Sequence, residues 1–211
     1  MLEFNVSYCQ KVLTYFIVSL ILYLLATISR TADQWYVALS VTLDVAPKLC
    51  ESQESIGVDL GVHCLATLSN GEEFVGPKPL KKHLRKLRRL SRQLSRKKLR
   101  SKNRHKARIR LAKLQLRIRN TRHDALHKLT TYLSRNYEVI GIEDLNVKGM
   151  MKNRRLSRAI QDMGFHEFER QLAYKSLLRG SHVVEVGRWF PSSKMCSRCE
   201  VVKDHLRRGA H

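Results

Sequence analysis

Two acids, one cysteine pair and one run of cations are the residues of this sequence whose types and spacing can do chemistry. Asp59 lies within IGVDLGV, residues 56–62, with a glycine two positions before it and another two positions after it. On an extended strand, positions two apart share a face, so no side chain at Gly57 or Gly61 screens the Asp59 carboxylate from a metal ion or a phosphate backbone. Glu143 repeats the arrangement at the end of YEVIGIE, two residues after Gly141. Phosphodiester hydrolysis by two metal ions needs carboxylates from separate strands that hold the ions about 4 Å apart, one activating water and one stabilising the leaving oxygen. Asp59 and Glu143 can supply two such ligands. The plainer alternative is that each acid points to solvent from a half-buried strand.

The cations are concentrated in one block. Residues 81–122 hold 20 of the 40 Lys and Arg in the chain and not one Asp or Glu. A merely solvated helix pair usually mixes signs so that residues one turn apart attract, whereas here like charges repel unless a polyanion compensates them. Lys81, Lys82, Arg85, Arg88, Arg89, Arg92, Arg96, Lys97, Lys98, Arg100, Arg104 and Arg108 are therefore candidate nucleic-acid contacts. Each phosphate they neutralise releases a counterion, which predicts steep salt dependence of binding. The formal net charge of +22 points the whole chain to nucleic acid and away from a small-molecule substrate.

Cys196 and Cys199 form a Cys-x-x-Cys, which is half of a ribbon-type zinc site. No second pair follows it, and His205 and His211 are the only nearby candidates to complete a tetrahedron. A Zn2+ site is thus two ligands short, and an unmetallated pair is an equal reading. Cys9, Cys50 and Cys64 follow no disulfide pattern, which suits a reducing compartment such as the cytoplasm.

Residues 12–29 (VLTYFIVSLILYLLATIS) carry no charge and are long enough to be a membrane-span candidate. Glu3 stands where a signal peptide would be basic, and no cleavage site is clear. A buried strand or helix, or residues foreign to the domain that follows, is the competing explanation.

Around these residues the elements follow from periodicity. Residues 34–43 (QWYVALSVTL) alternate loosely as a strand, and a polar linker runs over 47–55. The alternation of Ile56, Val58, Leu60 and Val62 predicts a strand with a bare second face, and residues 64–68 predict its antiparallel partner before the Asn70-Gly71 turn. Leu80, Leu84, Leu87, Leu90 and Leu94 form one helical stripe, and Leu111, Leu114, Ile118, Ala125, Leu129 and Leu133 form another, with a turn expected at 101–103. A strand over 137–142, a basic connection over 150–158, one amphipathic helix over 159–178 stopped by Gly180 and a last strand over 182–186 complete an α/β domain with an inserted helical hairpin.

IGVDLGV, the basic hairpin, VIGIEDLNVKGM and WFPSSKMCSRC occur in an order that resembles the TnpB-type (OrfB) transposases, over about residues 27–204. The resemblance implies an RNase H-like (RuvC-type) mixed sheet and an RNA-guided, metal-dependent DNA endonuclease of a transposable element, with DNA and guide RNA as partners. It implies that Asp59 and Glu143 are the first two of three Mg2+-binding acids, and that Cys196 and Cys199 are the first pair of a zinc ribbon. It divides the chain into an apolar segment (1–30), a β-rich start (31–80), the inserted hairpin (81–135), the rest of the nuclease domain (136–190) and a partial ribbon (191–211). The second cysteine pair and the segment carrying the third acid are missing from the sequence, the N-terminal region differs, and Glu200 stands where the family usually has glycine. The expectation is an incomplete and inactive copy, with retained catalysis, binding without catalysis and a membrane-tethered basic protein as the competing functions.

Overall fold

The computed structural model describes residues 2–5, 23–41 and 52–187. Two sheets and a set of helices make up these residues. The first sheet is antiparallel, with β1 (Leu2–Asn5) and β2 (Tyr23–Thr31) pairing on either side of β3 (Gln34–Val41). Residues 23–29 of the apolar window are thus strand, hydrogen-bonded to β3, while residues 12–22 lie outside the described residues. Among the described residues no helix is long and apolar enough to cross a membrane.

The second sheet has the order β6-β5-β4-β7-β8, formed by β4 (Ser55–Asp59), β5 (Ala66–Leu68), β6 (Glu73–Phe74), β7 (Val139–Glu143) and β8 (His182–Val186). β4, β7 and β8 run parallel, and β5 and β6 are antiparallel additions at one edge, so the sheet is mixed. β4 stops at Asp59, shorter than its alternation implies, because the chain turns immediately afterwards: a Cβ on Gly61 would lie 3.1 Å from the Cys64 carbonyl oxygen. The antiparallel partner of Asp59 is Thr67 on β5, and the Asn70-Gly71 turn closes the next hairpin, between β5 and β6, with Gly71 at φ 90°.

One face of this sheet is covered. Ile56, Val58, Ala66, Leu68, Ile140 and Ile142 pack with Leu126, Leu129 and Leu133, and with Ile160, Met163, Phe165, Phe168 and Leu172, in a single buried cluster. The helical residues come from α2 (Lys102–Asn136), α4 (Ser157–Met163) and α5 (Phe165–Arg179). Where one helix over 159–178 is expected, the chain forms two. Gly164 at φ 73° ends α4 and begins α5, and a Cβ there would meet Arg122 Cδ at 2.9 Å, so the break is built into the packing. The expected connection over 150–158 also holds the end of α3 (Val147–Met151), a helix whose N-terminus is capped by the Asn146 side-chain Oδ1 accepting from Gly149 N.

α1 (Pro79–Ser95) packs along α2, and residues 96–101 join them. The turn lies earlier than 101–103 because Ser101 is the N-cap of α2, its hydroxyl accepting from Arg104 N at 3.1 Å. Leu84, Leu87, Leu90 and Leu94 are half-buried against α2, as their stripe requires.

Candidate functional site

The parallel register of β4 and β7 pairs Gly57 with Gly141 and Val58 with Ile142. One residue further on, Asp59 and Glu143 stand side by side at the C-terminal ends of neighbouring strands. They belong to the face opposite the buried Ile56, Val58, Ile140 and Ile142, and both are exposed. Val186 of β8 lies across from Glu143 and Val184 from Gly141, so the row of acids continues into an apolar edge. The floor before the acids is the glycine pair. A Cβ at Gly141 would meet only Ile56 O at 3.7 Å and Gly57 Cα at 4.0 Å, and one at Gly57 only Ser69, at 3.6 Å or more. The lowered floor leaves room for a bulky anionic chain to approach the carboxylates.

Two carboxylates on adjacent strand ends are hard oxygen donors of the kind that suit Mg2+. Their placement on one open face therefore fits a divalent ion. Among the described residues no group of three or more His, Cys, Asp or Glu side chains is disposed to hold a metal ion. Cys196, Cys199, His205 and His211 lie outside the described residues.

The cations divide into two groups. Lys81, Lys82, Arg85, Arg88, Arg89 and Arg92 line the exposed side of α1, opposite its leucine stripe. Arg96, Lys97, Lys98 and Arg100 are exposed in the connection, and Arg108 is exposed on α2. Arg104 is turned inward: its Nη1 donates to the carbonyls of Leu94 and Lys97, each at 3.1 Å, and so satisfies the open C-terminal end of α1.

Asp162 went unnoticed in the sequence, and it fixes where the basic helix sits. Its side chain is 2% exposed, and its two oxygens accept from Leu80 N and Lys81 N at 2.9 Å each. Lys78, the N-cap of α1, makes no side-chain cap of its own, so Asp162 on α4 caps that helix from a distance. Arg122 of α2 donates through Nε to the Asp162 carbonyl at 3.1 Å, and its terminal nitrogen stands 3.6 Å from the carboxylate. The Lys78 ammonium donates to His63 O at 2.8 Å, tying the same helix start to the loop that follows Asp59. No local signal marks Asp162, since the helix it caps begins more than eighty residues earlier.

A second buried ionic group joins α2 to α5. Lys175, 9% exposed, donates to Thr130 Oγ1 at 2.7 Å, Thr131 Oγ1 at 2.8 Å and His127 O at 2.9 Å. Burial, aided by the charge of Arg179, lowers its pKa to about 8. Nearby, Arg170 holds Glu167 down to about 2, through hydrogen bonds at 2.8 and 2.7 Å.

Residues 165–210 match a Cas12f1-like TNB domain. A Streptomyces pristinaespiralis protein named "Putative RNA-guided DNA endonuclease" is 39% identical over 181 residues, covering 85% of this chain and 45% of the relative. A protein of the same description from Escherichia coli (strain K12) is 38% identical over 188 residues, covering 82% of this chain and 46% of the relative. The chain therefore spans about half the length of these relatives. Its fold resembles a solved chain from a Cas12f1–sgRNA–target DNA complex, with TM-score 0.55 and 16% identity, covering 84% of this chain and 38% of that one. The family described as probable transposase matches residues 38–154, more than half of the 211, and the chain accordingly belongs to the OrfB (TnpB-type) transposase family.

Proposed function

We propose that this chain is the nuclease portion of an RNA-guided, metal-dependent DNA endonuclease of a transposable element, built on an RNase H-like sheet with an inserted basic hairpin. The observation that carries the reading is the Gly57–Gly141 register, which sets Asp59 beside Glu143 on an open face. A bound Mg2+ supplies activation of water and stabilisation of the leaving oxygen. The chain's own part is to hold two carboxylates in place on rigid strand ends, to admit the phosphate backbone over glycine, and to hold the strand electrostatically through α1 and its connection. Cys196 and Cys199 begin a zinc-binding ribbon in this reading, and DNA and guide RNA as partners place the protein in the cytoplasm.

The test is cleavage of a target DNA in the presence of its guide RNA and Mg2+. Wild type cleaves, whereas Asp59→Ala and Glu143→Ala each lose on the order of 10³-fold or more in rate while binding is retained. Wild type that binds but never cleaves overturns the catalytic reading. It leaves the second one, a non-catalytic nucleic-acid binder, which is supported by the row of exposed cations on α1 and its connection.

A further inference from the structure

We infer that the outer face of the β2–β3 hairpin is a stacking platform for unpaired bases, with Trp35 as its centre and Arg30 as its cationic partner. The inference rests on the nucleic-acid reading above and adds a site to it. The hairpin pairs Arg30 with Trp35 and Ile28 with Val37, so these four side chains share one face. Trp35 is 53% exposed and Ile28 69%, so a large aromatic and a large aliphatic side chain sit side by side on the surface. The Arg30 guanidinium lies 5.2 Å from the centre of the Trp35 ring. It braces one side of the indole and brings a positive charge to within reach of a phosphate on any base stacked there.

The surroundings supply the electrostatic half of such a site. The hairpin tip meets α2, where the Lys113 ammonium lies 2.6 Å from the Asp33 carboxylate. Arg110 and Arg117, about one helical turn to either side of Lys113, are both exposed. Asp33 is already paired with Lys113, which also holds its carboxyl below the usual range, so the only acid at the tip is neutralised. An aromatic face with Arg beside it, next to a helix of cations, fits a single strand: the ring takes a base of any identity and the cations take its phosphates. Paired bases are stacked within their own duplex and cannot offer a face to the indole.

The chain has two tryptophans, so Trp189→Phe leaves Trp35 as the only indole reporter. In that background, Trp35 emission is followed while a short single-stranded RNA, a short single-stranded DNA or a duplex of the same sequence is added, and affinity is measured in parallel by oligonucleotide anisotropy. The expected result is quenching by a single strand and not by the duplex. Trp35→Ala should weaken single-strand binding about ten-fold or more, Trp35→Phe should weaken it less, and the salt slope should hardly change. Whichever of RNA and DNA quenches at the lower concentration is the strand the platform serves. Salt-sensitive single-strand binding with unquenched emission and an unaffected Trp35→Ala variant overturns the platform and leaves the nucleic-acid reading intact. Absence of binding by all three oligonucleotides overturns both.

Discussion

Asp59 and Glu143 meet because glycine precedes each of them by two residues on strands that pair in parallel, and a side chain at either glycine would rise into the approach to the acids. The exposed acids and their glycines were readable from a two-residue period, since that period fixes which residues share a face. Their proximity was not, because parallel pairing joins residues more than eighty positions apart and leaves no local trace. Lys175 shows the same limit in the core: a lysine within an amphipathic helix reads as surface, yet its ammonium is held by two threonine hydroxyls and a carbonyl of α2. Its folded pKa, about 8, lies below the unfolded value of 10.5, so between these pH values the unfolded chain binds more protons than the folded one. Stability from this group is therefore lowest below pH 8 and rises as pH increases from 8 toward 10.5. Thermal melts should show this rise in wild type relative to Lys175→Met, in which the pH-dependent difference disappears.

Among the elements, α1 depends on neighbours for its place. Its cations repel one another, it lacks an N-terminal side-chain cap of its own, and its C-terminal carbonyls are satisfied by Arg104. The Asp162 carboxylate, shared between two amides of α1 and Arg122 of α2, fixes the start of the basic helix against the domain that carries Asp59. Asp162→Ala removes the carboxylate beside Arg122, which keeps only its bond to the backbone carbonyl of residue 162, and leaves two amides uncapped, so it should destabilise the protein by on the order of 3 kcal/mol in denaturant unfolding. Asp162→Asn, which keeps the shape and one acceptor oxygen, should cost less. Leucine stripes and charge revealed both helices of the pair, whereas the division at Gly164 was hidden because the apolar period runs on through the glycine.

At the scale of the molecule, the described residues include an exposed carboxylate pair and a row of exposed cations, at a formal net charge of +22 for the chain. Nucleic-acid affinity should fall linearly with salt on a logarithmic plot. Substituting Arg85, Arg88 and Arg92 together with glutamine should reduce the slope by about 3, while Asp59→Ala should leave the slope unchanged. The central claim, that Asp59 and Glu143 hold one divalent-ion site, is tested most directly by titrating Mn2+ as a paramagnetic stand-in for Mg2+ into wild type, Asp59→Ala, Glu143→Ala and the double variant. If the two acids share ions, each single substitution abolishes the same binding event and the double variant loses nothing more. Independent, additive losses, or Mn2+ binding untouched by either substitution, would contradict it.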